Sequence, residues 1–152
     1  MTDWTADFFT RLYADVYQGP LFNEVTTGEE VAFLAGAFAD RPAGPILDIG
    51  CGFGRHLKPL RKKKLPVLGI ERFVHLAARL PKTYRVALGA DMRRIPLRDH
   101  TAAGAYCIFN TFGYFSHDEN RAMIEEWARV IKPGGTLVLQ IPNRPVMADV
   151  AR

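Results

Sequence analysis

Apolar residues recur along this chain at two periods, and the switch between them marks its elements. Trp4, Phe8, Leu12 and Val16 fall at helical spacing, with Phe9 and Tyr13 beside them, so an amphipathic helix is predicted before Gly19-Pro20. Thr26 with Glu29, and Thr27 with Glu30, have the spacing of a capping box; behind them Val31, Leu34, Ala35 and Phe38 form the stripe of a second helix. Pro42 to Pro45 breaks the pattern. From there short apolar runs take over: Pro45–Ile49, Pro66–Glu71, Tyr84–Leu88, Ala105–Phe109 and Thr136–Ile141. Helices are predicted between them over 54–64, over 73–80, and from a capping box at Ser116 and Glu119 through Met123, Ile124, Trp127 and Val130. Lys132-Pro133-Gly134-Gly135 is expected to end the last helix. Strands apolar on both faces and separated by helices predict a doubly wound α/β fold, a parallel sheet covered on both sides. The expected layout is a single domain over 1–152, with N-terminal helices in 1–40, a sheet core in 45–142 and a tail in 143–152. The polar segment 96–104 is too short to divide it.

Composition narrows the class. The 152 residues are 48% apolar and 24% charged, an ordinary globular balance that argues against disorder, collagen or coiled coil. No apolar run approaches the roughly 18 residues of a membrane span, and the acidic start predicts no signal peptide. Twenty basic against sixteen acidic residues give a mild excess, +4. Without a basic-aromatic stripe, a nucleic-acid partner is not expected. The run Arg61-Lys62-Lys63-Lys64 reads as a solvated helix end. Cys51 and Cys107 are expected to be reduced thiols of a cytoplasmic protein, and no Cys/His spacing predicts a metal site.

The chemistry gathers at the strand ends, where open α/β sheets bind their ligands. Those ends carry Asp48, Glu71, Asp91 and Asn110. After the first strand comes Asp48-Ile49-Gly50-Cys51-Gly52-Phe53-Gly54-Arg55-His56, with glycines spaced G-x-G-x-G. Glycine permits left-handed turns and lets a ligand press on bare backbone, and the following helix start is expected to present free N–H groups. A dinucleotide fingerprint would place its last glycine where Arg55 stands, which disfavours a nicotinamide oxidoreductase; no Gly-Lys-Ser/Thr is present for a P-loop. Glu71, 17 residues beyond Gly54, can accept charge-assisted hydrogen bonds from ribose hydroxyls. Asp91 can accept from an adenine amino group.

These stretches together resemble class I S-adenosylmethionine-dependent methyltransferases of the small-molecule type. The resemblance lies in Ile46–His56, Gly69-Ile70-Glu71, Ala90-Asp91-Met92 with Ile95-Pro96-Leu97, Asn110–Phe115, and Arg129-Val130-Ile131-Lys132-Pro133-Gly134-Gly135. It implies a Rossmann-like sheet of order 3-2-1-4-5 and S-adenosyl-L-methionine as cofactor. It implies that Asp48, Gly50, Cys51, Gly52 and Gly54 lie against the methionine part, Glu71 against ribose, Asp91 and Met92 against adenine, and Asn110 beside the transfer region. Arg72 stands where the family often has an apolar residue on the adenine face, and is kept as a contact because guanidinium stacks on rings. The tetrapeptide of amino-methylating DNA enzymes is missing, as is a Pro-Cys nucleophile.

The implied reaction is in-line methyl transfer to an O, N or C nucleophile of a small molecule. A base is needed only for a hydroxyl or a charged amine, and His56, Tyr114 and His117 are the candidates. Tyr13 and Tyr17 are candidates for a lid. Family members usually continue past the fifth strand, whereas eleven residues follow Ile141 here. A shortened domain, with the 136–141 edge paired to a second copy, is therefore expected. The alternative function is a cofactor-binding or assembly module without turnover. Aminopropyl transfer would want further acids, and the loop directly after the fourth strand leads only to Asp118 and Glu119 at the start of the next helix.

Overall fold

The computed structural model describes residues 4–13, 24–79 and 87–142. Helix α1 (Trp4–Asp7) runs into a π-helical segment, Phe8–Leu12. Then follow α2 (Glu24–Ala37), β1 (Ile46–Ile49), α3 (Leu57–Lys62), β2 (Val67–Glu71), α4 (Val74–Ala77), β3 (Ala87–Gly89), β4 (Ala102–Cys107), α5 (His117–Val130) and β5 (Ile131–Leu139). All five strands are parallel, in the order β3-β2-β1-β4-β5, as expected. Asp48 lies between Gly69 of β2 and Tyr106 of β4, so the carboxyl ends of the central strands open on one edge.

Strand alternation splits the interior into two cores. Leu47, Ile49, Ile70, Ala105 and Cys107 pack with Met123, Trp127 and Val130 of α5. Ile46, Val67 and Tyr106 face the other way, onto Val31, Leu34 and Phe38 of α2 and Leu57 and Leu60 of α3. All four residues of β1 and all six of β4 are buried, which is why 46–49, apart from Asp48, and 105–107 read as apolar runs.

Several boundaries differ from expectation, each for a local reason. Helix α2 is already formed at Glu24, so Thr26 and Thr27 sit inside it rather than at its start. Thr27 Oγ1 instead accepts from Arg55 Nη1 at 3.0 Å. Helix α3 starts at Leu57 rather than 54, because the glycine loop continues as turns to His56. Strand β4 spans 102–107, so Ala102-Ala103-Gly104, small residues within the expected linker, are sheet. The Lys132–Gly135 segment does not separate helix from strand. Ile131 pairs with Ala102 and Thr136 with Gly104, leaving the residues between as an irregularity inside β5. The capping box at Ser116 is present in both directions. Tyr17, the strand start Tyr84–Val86 and the tail 143–152 lie outside the described residues.

Candidate functional site

The loop after β1 takes its shape from left-handed glycines: Gly50, Gly52 and Gly54 have φ of +72°, +51° and +71°. A Cβ on Gly50 would lie 2.4 Å from Thr111 Cγ2, so the loop also passes too close to the β4 end for any side chain. Its amides are used internally. Gly50 and Cys51 both donate to the Ile70 carbonyl, at 2.8 and 3.2 Å, and Gly54 donates to Cys51 at 2.8 Å. Gly52 donates to Glu71 Oε2 at 2.8 Å. The loop itself therefore offers shape and bare backbone, while the start of α3, a short helix, carries no side-chain cap.

Glu71 is the hinge of this arrangement. Oε2 holds the glycine loop and Oε1 accepts from Phe73 N at 2.8 Å, so one buried side chain ties the β1 and β2 ends together. Burial raises its pKa, opposed by those amide bonds. The Arg72 backbone N–H acts on the same carboxylate and also favours its ionised form. Asp91 follows β3, its pKa lowered despite partial burial by the Arg93 hydrogen bonds and charge, with Arg72 adding to the effect. Arg72 Nε lies 4.0 Å from Asp91 Oδ2, and its guanidinium sits 5.5 Å from the Phe73 ring centre.

Between these groups lies a cavity of about 340 Å³, within the range of small-molecule sites. Gly50, Gly52, Glu71, Arg72, Asp91, Met92, Asn110 and Tyr114, all singled out from sequence, line it. Much of the remaining wall was not foreseen as a site: Phe8, Phe9, Phe73, Phe109, Thr111 and Phe115. The N-terminal segment reaches it through rings. Phe9 stacks on Phe73 at 5.3 Å and Tyr13 on Phe53 at 5.5 Å. Phe8 and Phe9 of the first apolar stripe thus contribute wall. At the β4 end Phe109 and Asn110 have φ of +64° and +57°, a conformation that costs a side-chain-bearing residue about 1–3 kcal/mol. No sequence signal announces it at Phe109.

Asp48, Cys51 and His56 lie behind the loop, on an adjoining cavity that shares Tyr13, Gly50, Phe109 and Thr111 with the first. Asp48 is fully buried, and Oδ2 has no hydrogen-bond partner among the described residues. Desolvation pushes its pKa up to about 7. The Tyr106 hydroxyl holds it lower, although it stops short of a well-formed bond. His56 Nε2 lies 2.9 Å from Glu30 Oε2, and Arg55 Nη1 reaches the same oxygen at 2.5 Å. Burial and the Arg55 charge bring the His56 pKa down to about 4, so its ring is neutral and donates to Glu30. Arg55 also lies over the Phe109 ring at 4.9 Å. His117 is exposed at the start of α5 and lines neither cavity. Gly54 lines neither as well, and acts through the turn.

Residues 46–135, more than half of the chain, match the model of a methyltransferase domain. The chain belongs to that family. No curated protein matches it. Among solved structures it is similar to the CcbJ methyltransferase from Streptomyces caelestis, with 24% identity, 83% of this chain and 55% of that one covered, and a TM-score of 0.69. It is similar to CalS10 from Micromonospora echinaspora, an amino pentose methyltransferase solved with S-adenosylmethionine bound, with 25% identity, 90% and 58% covered, and a TM-score of 0.67. For PH0226 from Pyrococcus horikoshii the values are 17%, 95% and 66%, and 0.73. The domain therefore spans between 55% and 66% of these relatives. It has the class I methyltransferase fold, and its cofactor is S-adenosylmethionine.

The residues present fit that cofactor. Two carboxylates from neighbouring strands face an apolar cavity, which suits a ribose and a base. The orphaned Asp48 oxygen lies behind a loop pressed to bare backbone, which suits a compact polar end. Among the described residues no cluster of His, Cys, Asp and Glu could hold a metal ion, and no helix is long and apolar enough to cross a membrane.

Proposed function

We propose that this chain transfers a methyl group from S-adenosylmethionine to an O, N or C nucleophile of a small molecule. The observation that supports it best is the convergence of Glu71 and Asp91 on one apolar cavity under the Gly50–Gly54 loop. In this reading the Glu71 carboxylate takes the ribose hydroxyls, Asp91 and Met92 hold adenine, and Arg72 covers one face of the base. Asp48, Gly50, Cys51, Gly52 and Gly54 shape the methionine end, and Asn110 borders the transfer region. Bound S-adenosylmethionine supplies a methyl group already activated by sulfonium. The protein's part is alignment, which contributes several kcal/mol when reacting atoms are held at about 3–3.5 Å. Where the acceptor needs a base, Tyr114 is the candidate that lines the cavity. His56 is held by Glu30 and His117 is exposed, so both are weaker candidates. CalS10 acts on an amino pentose, so amino sugars come first among acceptors. Pairing of a second copy along the open edge of β5 at 136–141, and a cytoplasmic setting, belong to the same reading.

The test is release of S-adenosylhomocysteine across a panel of amino sugars, alkyl amines, phenols and carbon acids. Turnover with one class, lost in Asp91→Ala, is expected. Cofactor binding with no turnover across the panel would instead favour a binding module.

A further inference from the structure

Arg93 belongs to no stretch that the family resemblance or the cavity lining picks out, yet it makes more contacts to the base end of the site than any other side chain described there. Its backbone N–H donates to Asp91 Oδ1 at 2.9 Å. Its guanidinium grips the same carboxylate in a fork, Nε to Oδ1 at 3.1 Å and Nη2 to Oδ2 at 2.7 Å, with Nε 3.3 Å from Oδ2. The guanidinium carbon lies 4.4 Å from the centre of the Phe115 ring, which lines the same cavity. Nη1 reaches Glu119 Oε1 at 3.2 Å, while the other oxygen of Glu119 closes the capping box of α5. From the opposite side the fully buried Trp127 donates through Nε1 to the Met92 carbonyl at 2.8 Å. The Asp91–Met92 strip is therefore clamped from two sides onto one rigid helix.

We propose that Arg93 is a positioning residue that fixes the Asp91 carboxylate as a rigid acceptor, and thereby makes the site selective for a 6-amino over a 6-oxo purine. The inference rests on the reading of Asp91 as the base contact. Oδ1 already accepts twice from Arg93. Oδ2 accepts one short bond from Nη2, and shares Nε with Oδ1 at the longer 3.3 Å, so its remaining lone-pair direction is the one a ligand donor would use beside Arg72. Arg93 keeps the carboxyl ionised, so it has no hydrogen to offer. Such a group bonds an exocyclic amine and repels a carbonyl oxygen in the same place. A fork held at two atoms also stops the carboxylate from rotating to relieve that repulsion.

The experiment measures Kd by calorimetry for S-adenosylhomocysteine and its 6-oxo analogue, S-inosylhomocysteine, with the full chain, Arg93→Gln and Arg93→Lys. The wild type is expected to prefer the amine by about 10- to 100-fold, the worth of one charge-assisted bond. In Arg93→Gln the ratio falls to within about threefold of unity. In Arg93→Lys, which keeps charge but loses the fork, it falls between, and this variant serves if the glutamine variant does not fold. A ratio unchanged in both variants, or an equal loss for both ligands, would overturn the proposal. A wild type without preference would overturn the Asp91 reading itself, a result distinct from failure at Arg93.

Discussion

Replacing Glu71 with glutamine separates its two tasks. The carboxylate accepts one backbone N–H on each oxygen, Gly52 on one and Phe73 on the other, both at 2.8 Å. Glutamine keeps one acceptor and turns an NH2 toward the other amide, leaving a buried donor facing a donor. That costs about 1–3 kcal/mol of stability, and at ~2–4 °C per kcal/mol for a domain of this size the melting temperature falls by roughly 2–12 °C. On the ligand side one ribose hydroxyl loses its acceptor and the other loses charge assistance, a further penalty of about 1.5–3 kcal/mol. Calorimetric Kd for S-adenosylhomocysteine should therefore rise about 10- to 150-fold. The 2′-deoxy ligand separates the effects: it binds the wild type more weakly than the parent ligand, and the variant hardly distinguishes the two. A variant that melts earlier but binds within about threefold of wild type would refute the ribose assignment and leave Glu71 as a strut of the loop.

Asp48→Asn tests the buried charge. The Asp48 pKa of about 7 lies above its unfolded value, so the folded state keeps a proton that the unfolded chain has released, and stability falls as pH rises toward 7. His56 does the opposite: its pKa near 4 lies below the unfolded value, so stability falls as pH drops from about 6.5 toward 4. The two slopes oppose each other between pH 5 and 6.5. Removing Asp48 should raise the slope of stability against pH there by about 1.4 kcal/mol per unit in urea melts; parallel wild-type and variant profiles would contradict the burial argument. Gly50→Ala meets Thr111 at 2.4 Å with φ +72°, and is expected to lower the melting temperature and abolish measurable cofactor binding; wild-type affinity would show that the loop can shift. Ser116→Ala removes the oxygen that caps Glu119 N and should cost about 1 kcal/mol by denaturant melting with cofactor affinity unchanged.

The sheet was legible because its central strands are buried on both faces, which writes β1 and the end of β4 as short, mostly apolar runs between helical stretches. Strand order came with the resemblance, since no pattern within a strand states its neighbours. Boundaries failed where small residues serve either state. Ala102–Gly104 look like linker but pair as sheet, and the Pro133–Gly135 turn lies inside β5 rather than before it. At the site, residues with a chemical signature were legible: the glycines, Glu71 and Asp91. The aromatic walls were not, because Phe8 and Phe9 read as a helical stripe and Phe115 carried no role within its matching stretch, and only tertiary packing turns them toward a cavity. Nor was the hold of Arg93 on Asp91, two residues away, since nothing in that spacing distinguishes a fork from two solvated charges.

The most direct test of the account is calorimetric titration of the 152-residue chain with S-adenosylmethionine and, separately, with NADH. On this account micromolar binding of S-adenosylmethionine is expected, about −8 kcal/mol, and none of NADH, because Arg55 stands where a dinucleotide fingerprint needs its third glycine. Binding of NADH, or of neither ligand by a chain that melts cooperatively, would contradict it.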